Sequence, residues 1–188
     1  MVNFSKKEPF YDVVIDRFGT IFYLNEYNNY HNLSGPAVEY YNGMIEYYID
    51  GKRHRIDGPA RIWPNGNKEY WVNGMRHRLD GPAVEYINGY IEYWFNGELH
   101  RLDGPAVEYI GRYKAYYING KRHRIDGPAI EDVDGTKEYW INGKRHRLDG
   151  PALIYPDGNI KYYIDDKLLS KKEFYKQNKI FKNKTICM

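Results

Sequence analysis

The stretch His54-Arg55-Ile56-Asp57-Gly58-Pro59-Ala60 decides the fold, because it returns. It reappears as His77-Arg78-Leu79-Asp80-Gly81-Pro82-Ala83, then from His100, His123 and His146, and in weaker form as His31-Asn32-Leu33-Ser34-Gly35-Pro36-Ala37. These are all six histidines of the chain, each 23 residues from the next. Six matches in fixed phase are the signature of a repeat architecture.

Counting His as position 1, the rest of the unit repeats too. Position 17 is Tyr throughout: Tyr47, Tyr70, Tyr93, Tyr116, Tyr139 and Tyr162. Position 18 is aromatic (Tyr48, Trp71, Trp94, Tyr117, Trp140, Tyr163) and position 19 apolar. An Asn-Gly or Asp-Gly pair follows in the first five units, as at Asn73-Gly74, and a second glycine turn lies near position 13, as at Asn65-Gly66 and Asp157-Gly158. Short β-rich runs between such turns read as a hairpin.

Its register can be argued. Pro64 and Pro156 open the second turn in two repeats, and proline's φ near −65° is forbidden at the first corner of a type I′ turn. A three-residue loop with glycine in the left-handed bulge position fits. It sets position 9 opposite 15 and 8 opposite 16, so Glu131 faces Lys137 and Arg61 faces Glu69. A two-residue loop would oppose Glu39 with Glu46, Glu85 with Glu92 and Glu131 with Glu138, and opposed like charges destabilise a sheet. Repeat four, with Gly111-Arg112, leaves its register open.

Each Asp-Gly-Pro segment should end one strand and start the next. A lone hairpin cannot bury its Tyr and Trp, so the repeats must stack, each advancing ~10 Å at two strands of ~4.8 Å. The expected fold is all-β: an elongated single-layer antiparallel meander, or solenoid, of stacked β-hairpins with a short C-terminal helix cap. Residues 1–30 would hold an N-terminal capping hairpin, 31–168 the six repeats, and 169–188 the capping helix and a basic tail. Ser170-Lys171-Lys172-Glu173 reads as a capping box opening a helix over 171–178.

Composition agrees, with 21 Tyr and 18 Gly in 188 residues, the vocabulary of strands and turns. The net charge is +3, but seven lysines and three acids after Ile164 make the tail +4 and leave the body at −1. A near-neutral body predicts no nucleic-acid partner. The single cysteine, Cys187, forms no internal disulfide. With no signal-like N-terminus and no apolar run near ~20 residues, this predicts an intracellular, soluble protein, neither secreted nor transmembrane.

Segments such as Tyr48-Ile49-Asp50-Gly51-Lys52-Arg53-His54 and Tyr117-Ile118-Asn119-Gly120-Lys121-Arg122-His123 resemble MORN repeats over about residues 31–168. After His the chain departs from that family's Gly-x-Gly and reads Arg-(Ile/Leu)-Asp-Gly-Pro-Ala. This variant resembles repeats in uncharacterised proteins of giant DNA viruses, phages and some bacteria, which would imply a virus-encoded protein acting in a host cell. The resemblance implies elongated single-layer sheets with an aromatic-lined groove, serving as scaffolds, dimerisation modules or phospholipid-binding modules.

The chemistry-bearing residues read as structural. Equivalent histidines ~10 Å apart cannot share one ion at ~2 Å bonds, so each His should instead fix a turn by hydrogen bonding. Arg and Asp of the motif should pair, because repeat one replaces both together with Asn32 and Ser34. His54, Arg55, Asp57, Gly58 and Pro59 thus form a structural motif. The aromatic rows are either a packing ladder or an exposed platform for sugars or a peptide, with Trp63, Trp71, Trp94, Trp140, Tyr48, Tyr117 and Tyr163 as the candidate interaction surface. No catalytic constellation, metal site or cofactor motif stands out from the period. The expected role is a non-enzymatic scaffold for a protein partner or a second copy. Its alternative is a phospholipid- or glycan-binding module using the aromatic and basic face.

Overall fold

The computed structural model describes residues 11–177. It is all-β apart from one short helix at 171–177. The main sheet has 15 antiparallel strands ordered as in the chain, from Asp12–Ile15 to Lys167–Leu169, and does not close into a barrel. Two units are distinguished, Met1–Asn88 with Trp94–Gly97, and Gly89–Tyr93 with Glu98–Met188.

The register follows the charge argument. Arg61 pairs with Glu69 and Ile62 with Lys68; Glu131 pairs with Lys137; Glu39 pairs with Ile45 rather than Glu46. Gly66 closes its loop at φ +90°, donating its N–H to Trp63 O at 2.9 Å, the left-handed bulge position that favours glycine. Repeat four keeps the same register, Val107 opposite Ala115 and Glu108 opposite Lys114, with Gly111 at φ +71° in the middle of its loop.

Sequence reasoning counted one hairpin per repeat, and the structure corrects this. Each of the first five repeats contributes two short strands to the main sheet, as Arg61–Ile62 and Lys68–Glu69, and a further two-stranded hairpin, as Trp71–Val72 with Met75–Arg76, while in the sixth Ile160–Ile164 and Lys167–Leu169 both stay in the main sheet. The Asn-Gly pair forms a tight turn here, with Asn73 at φ +51° and Gly74 at φ +78°, as a type I′ turn requires. The two hairpins are one longer ladder interrupted on a single side. Tyr47 N–H donates to Ala60 O (2.8 Å), and Tyr47 O accepts from His54 N–H (3.1 Å). Residues 55–59, the Arg-Ile-Asp-Gly-Pro of the motif, leave the ladder between those two bonds and rejoin it. The same pair of bonds recurs around Tyr70, Tyr93, Tyr116 and Tyr139. The motif is therefore a five-residue bulge built into a strand.

Both ends of the described chain are modified copies. Asp12–Ile15 and Ile21–Leu24 pair as a hairpin, and Tyr23 makes the bonds to Ala37 and His31 that the repeat tyrosines make. At the other end Phe174 is fully buried against Tyr162, Ile164 and Leu169. Ser170 Oγ accepts from Glu173 N–H at 3.3 Å while Ser170 N–H donates to Glu173 Oε2 at 2.8 Å, the capping box expected from sequence. The rest of the basic tail lies outside the described residues.

Candidate functional site

Side chains alternate between the two faces of the sheet, and the repeat dresses each face differently. Positions 8, 10, 16, 18 and 23 share one face. In the first unit the position-18 rings alternate with position-23 arginines. The Arg53 guanidinium lies 5.4 Å from the ring centroids of both Tyr48 and Trp71, and that of Arg76 lies 5.3 Å from Trp71 and 5.2 Å from Trp94. In the second unit Arg145 sits between Trp140 (4.8 Å) and Tyr163 (5.6 Å), and Arg122 faces Trp140 (5.0 Å) and donates to Tyr117 Oη.

Glutamates at position 16 hold the arginines in place. Glu46, 1% exposed, accepts from Arg53 Nη2 (3.0 Å), Tyr48 Oη (2.9 Å) and Tyr40 Oη (3.2 Å). Arg61 Nε lies 2.8 Å from its Oε1, close enough for an ion pair but not aligned for a hydrogen bond. Glu69 accepts from Trp71 Nε1 (3.0 Å) and Arg76 Nη2 (2.9 Å), and Glu138 from Trp140 Nε1 (2.9 Å). Burial, then the adjacent Glu46 carboxylate, pushes the pKa of Tyr48 and Tyr40 above the usual tyrosine value, so both remain neutral donors. Trp63 belongs to this network, under Arg61 at 4.4 Å and edge-on to Tyr86. The candidate aromatic surface is thus half-buried, with the indole N–H groups of Trp71 and Trp140 committed to Glu69 and Glu138. Sequence reasoning found the rings but missed the arginines and the buried glutamates between them.

The bulges occupy the opposite face. Within each, Arg Nε donates to the Asp two residues on, as in Arg55 to Asp57 (2.9 Å) and Arg147 to Asp149 (2.7 Å). The guanidinium lies over the preceding repeat's tyrosine ring, Arg55 on Tyr47 at 4.0 Å and Arg101 on Tyr93 at 3.9 Å. Its other side is against the motif glycine: a Cβ on Gly104 would stand 2.9 Å from Arg101 Cζ. The hydrogen bond from Arg holds Asp57, Asp80, Asp103, Asp126 and Asp149 below the usual carboxylate range. In repeat one Asn32 Nδ2 donates to Pro36 O (2.8 Å), the carbonyl that the arginines reach elsewhere. The histidines do hold turns: Asn73 N–H donates to His54 Nδ1 at 3.2 Å, and Asn119 and Asn142 do the same to His100 and His123. Among the described residues no three His, Cys, Asp or Glu side chains are grouped to hold a metal ion.

One feature of the bulges lies outside this internal bonding. Position 3 is Ile or Leu in all six repeats, yet Leu33, Ile56, Leu79, Leu102 and Ile125 are 61–86% exposed. Within each unit the face is cleft between bulges. One cleft of about 710 Å³ runs between Ile56 and Leu79 over Tyr70 and Val72, with Arg78 and His77 on its wall. Others lie between Leu33 and Ile56, and between Ile125 and Leu148. No family model matches this chain, and no curated protein matches it with significance.

Proposed function

We propose that the chain is a non-enzymatic MORN-like repeat scaffold that engages protein through its bulge face. The row of Ile and Leu at the bulge tips carries this reading. A contiguous set of exposed apolar side chains marks an interaction surface more often than a neutral one, and here the residue type is kept in every repeat although folding does not bury it. The charged neighbours support it, since Arg and Asp satisfy each other inside each bulge. The tip then presents apolar surface with little polar desolvation. The phospholipid or glycan alternative draws on the aromatic and basic face, where Arg53, Arg76 and Arg145 are committed to glutamate and the Trp71 and Trp140 indoles donate to Glu69 and Glu138, so it gains less support.

The test is affinity capture with the tagged full chain beside a variant carrying Ile56→Asp, Leu79→Asp and Ile125→Asp. These sites are exposed, so circular dichroism should be unchanged. A partner, or a second copy, retained by the parent and lost by the variant is expected. A chain that captures nothing and does not self-associate, or whose captures ignore the variant, defeats the reading.

A further inference from the structure

Resting on the bulge-face reading above, we infer that the partner segment seated there is uncharged and proline-rich, in the polyproline II conformation, with every third side chain in a cleft. Two clefts of the first unit carry the inference. One lies between Leu33 and Ile56 over Tyr47 and Ile49, the next between Ile56 and Leu79 over Tyr70 and Val72. Their charges are already matched. Arg55 and Asp57 line both clefts and bond each other at 2.9 Å, and Arg78 and Asp80 do the same in the second. Arg78 also holds Glu85. Neither sign is left in excess to recruit a charged ligand, so the clefts offer chiefly apolar surface.

One polar group remains in each. His77 lines the second cleft, and its Nδ1 accepts from Asn96 N–H at 3.1 Å. His54 lines the first, and its Nδ1 accepts from Asn73 N–H at 3.2 Å. The Asn73 side chain also lies 2.9 Å from that nitrogen, but a side-chain amide can turn its NH2 to the ring, whereas the backbone N–H cannot turn away. The neutral ring therefore carries its proton on Nε2, and among the described residues that N–H meets no acceptor. A fitting ligand brings one side chain and one free acceptor to each cleft, one repeat apart, or ~10 Å at two strands. An extended strand covers this in three residues but turns the third side chain to its other face. An α-helix covers it in about seven, but its carbonyls are spent on its own bonds. Polyproline II has three residues per turn at ~3.1 Å each, so every third side chain returns to one side, and its carbonyls are unbonded. Proline holds that conformation in advance and brings no N–H for the cleft to satisfy.

The exposed apolar row at the turns offers no such slot. Ile87 and Ile110 are exposed, but each seats on the previous repeat's turn glycine, where a Cβ would meet it at 3.3–3.4 Å. Folding alone accounts for side chains in that row.

Fluorescence anisotropy of a labelled peptide of four Leu-Pro-Pro units, titrated with the purified full chain, tests the inference. Saturable binding is expected, weakened roughly tenfold or more by Ile56→Asp, whose side chain borders both clefts, and left unchanged by Ile87→Asp. His77→Asn keeps an acceptor for Asn96 N–H and removes the spare donor, so it should weaken binding roughly fivefold with the circular dichroism of the parent. A peptide of the same composition with its leucines irregularly spaced should bind far less. Absence of binding overturns the inference, as does equal binding of the two peptides, indifference to both Ile56→Asp and His77→Asn, or preference for a helical peptide with leucine at every seventh residue. If the proline peptide is not bound but the chain captures a protein that the triple Asp variant releases, the proline-rich occupant falls while the bulge-face scaffold stands.

Discussion

Gly104 has an ordinary φ, so its requirement is steric rather than conformational. A methyl group there would occupy the place of the Arg101 guanidinium, and the arginine, being flexible, would leave Tyr93. The loss is one cation–π contact and one charge-assisted hydrogen bond, about 1–2 kcal/mol. Gly104→Ala should lower unfolding stability by about that amount. In an Arg101→Ala background it should cost almost nothing, and a double-mutant cycle read by denaturant unfolding checks the coupling. At this scale the sequence was partly legible. The histidine's task followed from its isolation from other ligands, and the Arg–Asp pairing followed from Asn32 and Ser34 changing together. The tyrosine beneath each arginine was not legible, because Arg55 reaches back to Tyr47 across a tight turn and no local spacing encodes that contact. The buried glutamates were hidden for another reason: Glu46 looks like any solvated strand acid until Arg53 and Arg61 converge on it. The visible trace was a pair of departures, Leu99 at an arginine position and Ala115 at a glutamate position, which meet in one apolar cluster with Val107 and Ile130.

Each bulge responds to acid as a unit. Its Asp is held below the usual carboxylate range by the hydrogen bond from Arg, so the folded state binds this proton less readily than the unfolded chain. The stabilisation is complete above the unfolded value near ~3.9 and is lost as pH falls through the lower folded value. The unfolding midpoint should therefore be flat from neutral to mildly acidic pH and fall below about pH 4. Asp57→Asn with Asp126→Asn should flatten that acid limb, measured by fluorescence-detected denaturation. The opposite face is organised around Glu46. Removing that carboxylate strands the Arg53, Tyr40 and Tyr48 donors and leaves the Arg61 charge without its ion-pair partner, so Glu46→Ala should destabilise the chain by about 3–5 kcal/mol. Chemical denaturation measures this, and a loss under 1 kcal/mol, as for an exposed pair, would contradict the buried network. The hairpin register was legible because Pro64 and Pro156 exclude one turn and opposed glutamates exclude the other. The second hairpin escaped notice because Tyr47 bonds the next repeat on both sides of the bulge, a gap that no periodicity reveals.

Stacked repeats owe their stability to neighbours, so a lesion should stay local and the last copy needs a cover. Phe174 supplies it, packing at 4.6 Å centroid distance on Tyr162. Phe174→Ala should cost about 3–5 kcal/mol in the final repeat. Hydrogen exchange should accelerate over residues 146–169 while protection of the strands near Val38 and Val84 is retained; uniform loss would mean the array unfolds as one block. The order of strands, the capping hairpin and the capping box were all legible at this scale, since each is a modified copy of the period or a standard helix signal. A last consequence comes from the detour taken by residues 55–59. Because the strand pairs normally before and after it, the outermost side chain can be exchanged without asking the backbone to rearrange. Selection can therefore rewrite the outer surface of these detours, one tooth at a time, while the frame beneath goes on folding as before.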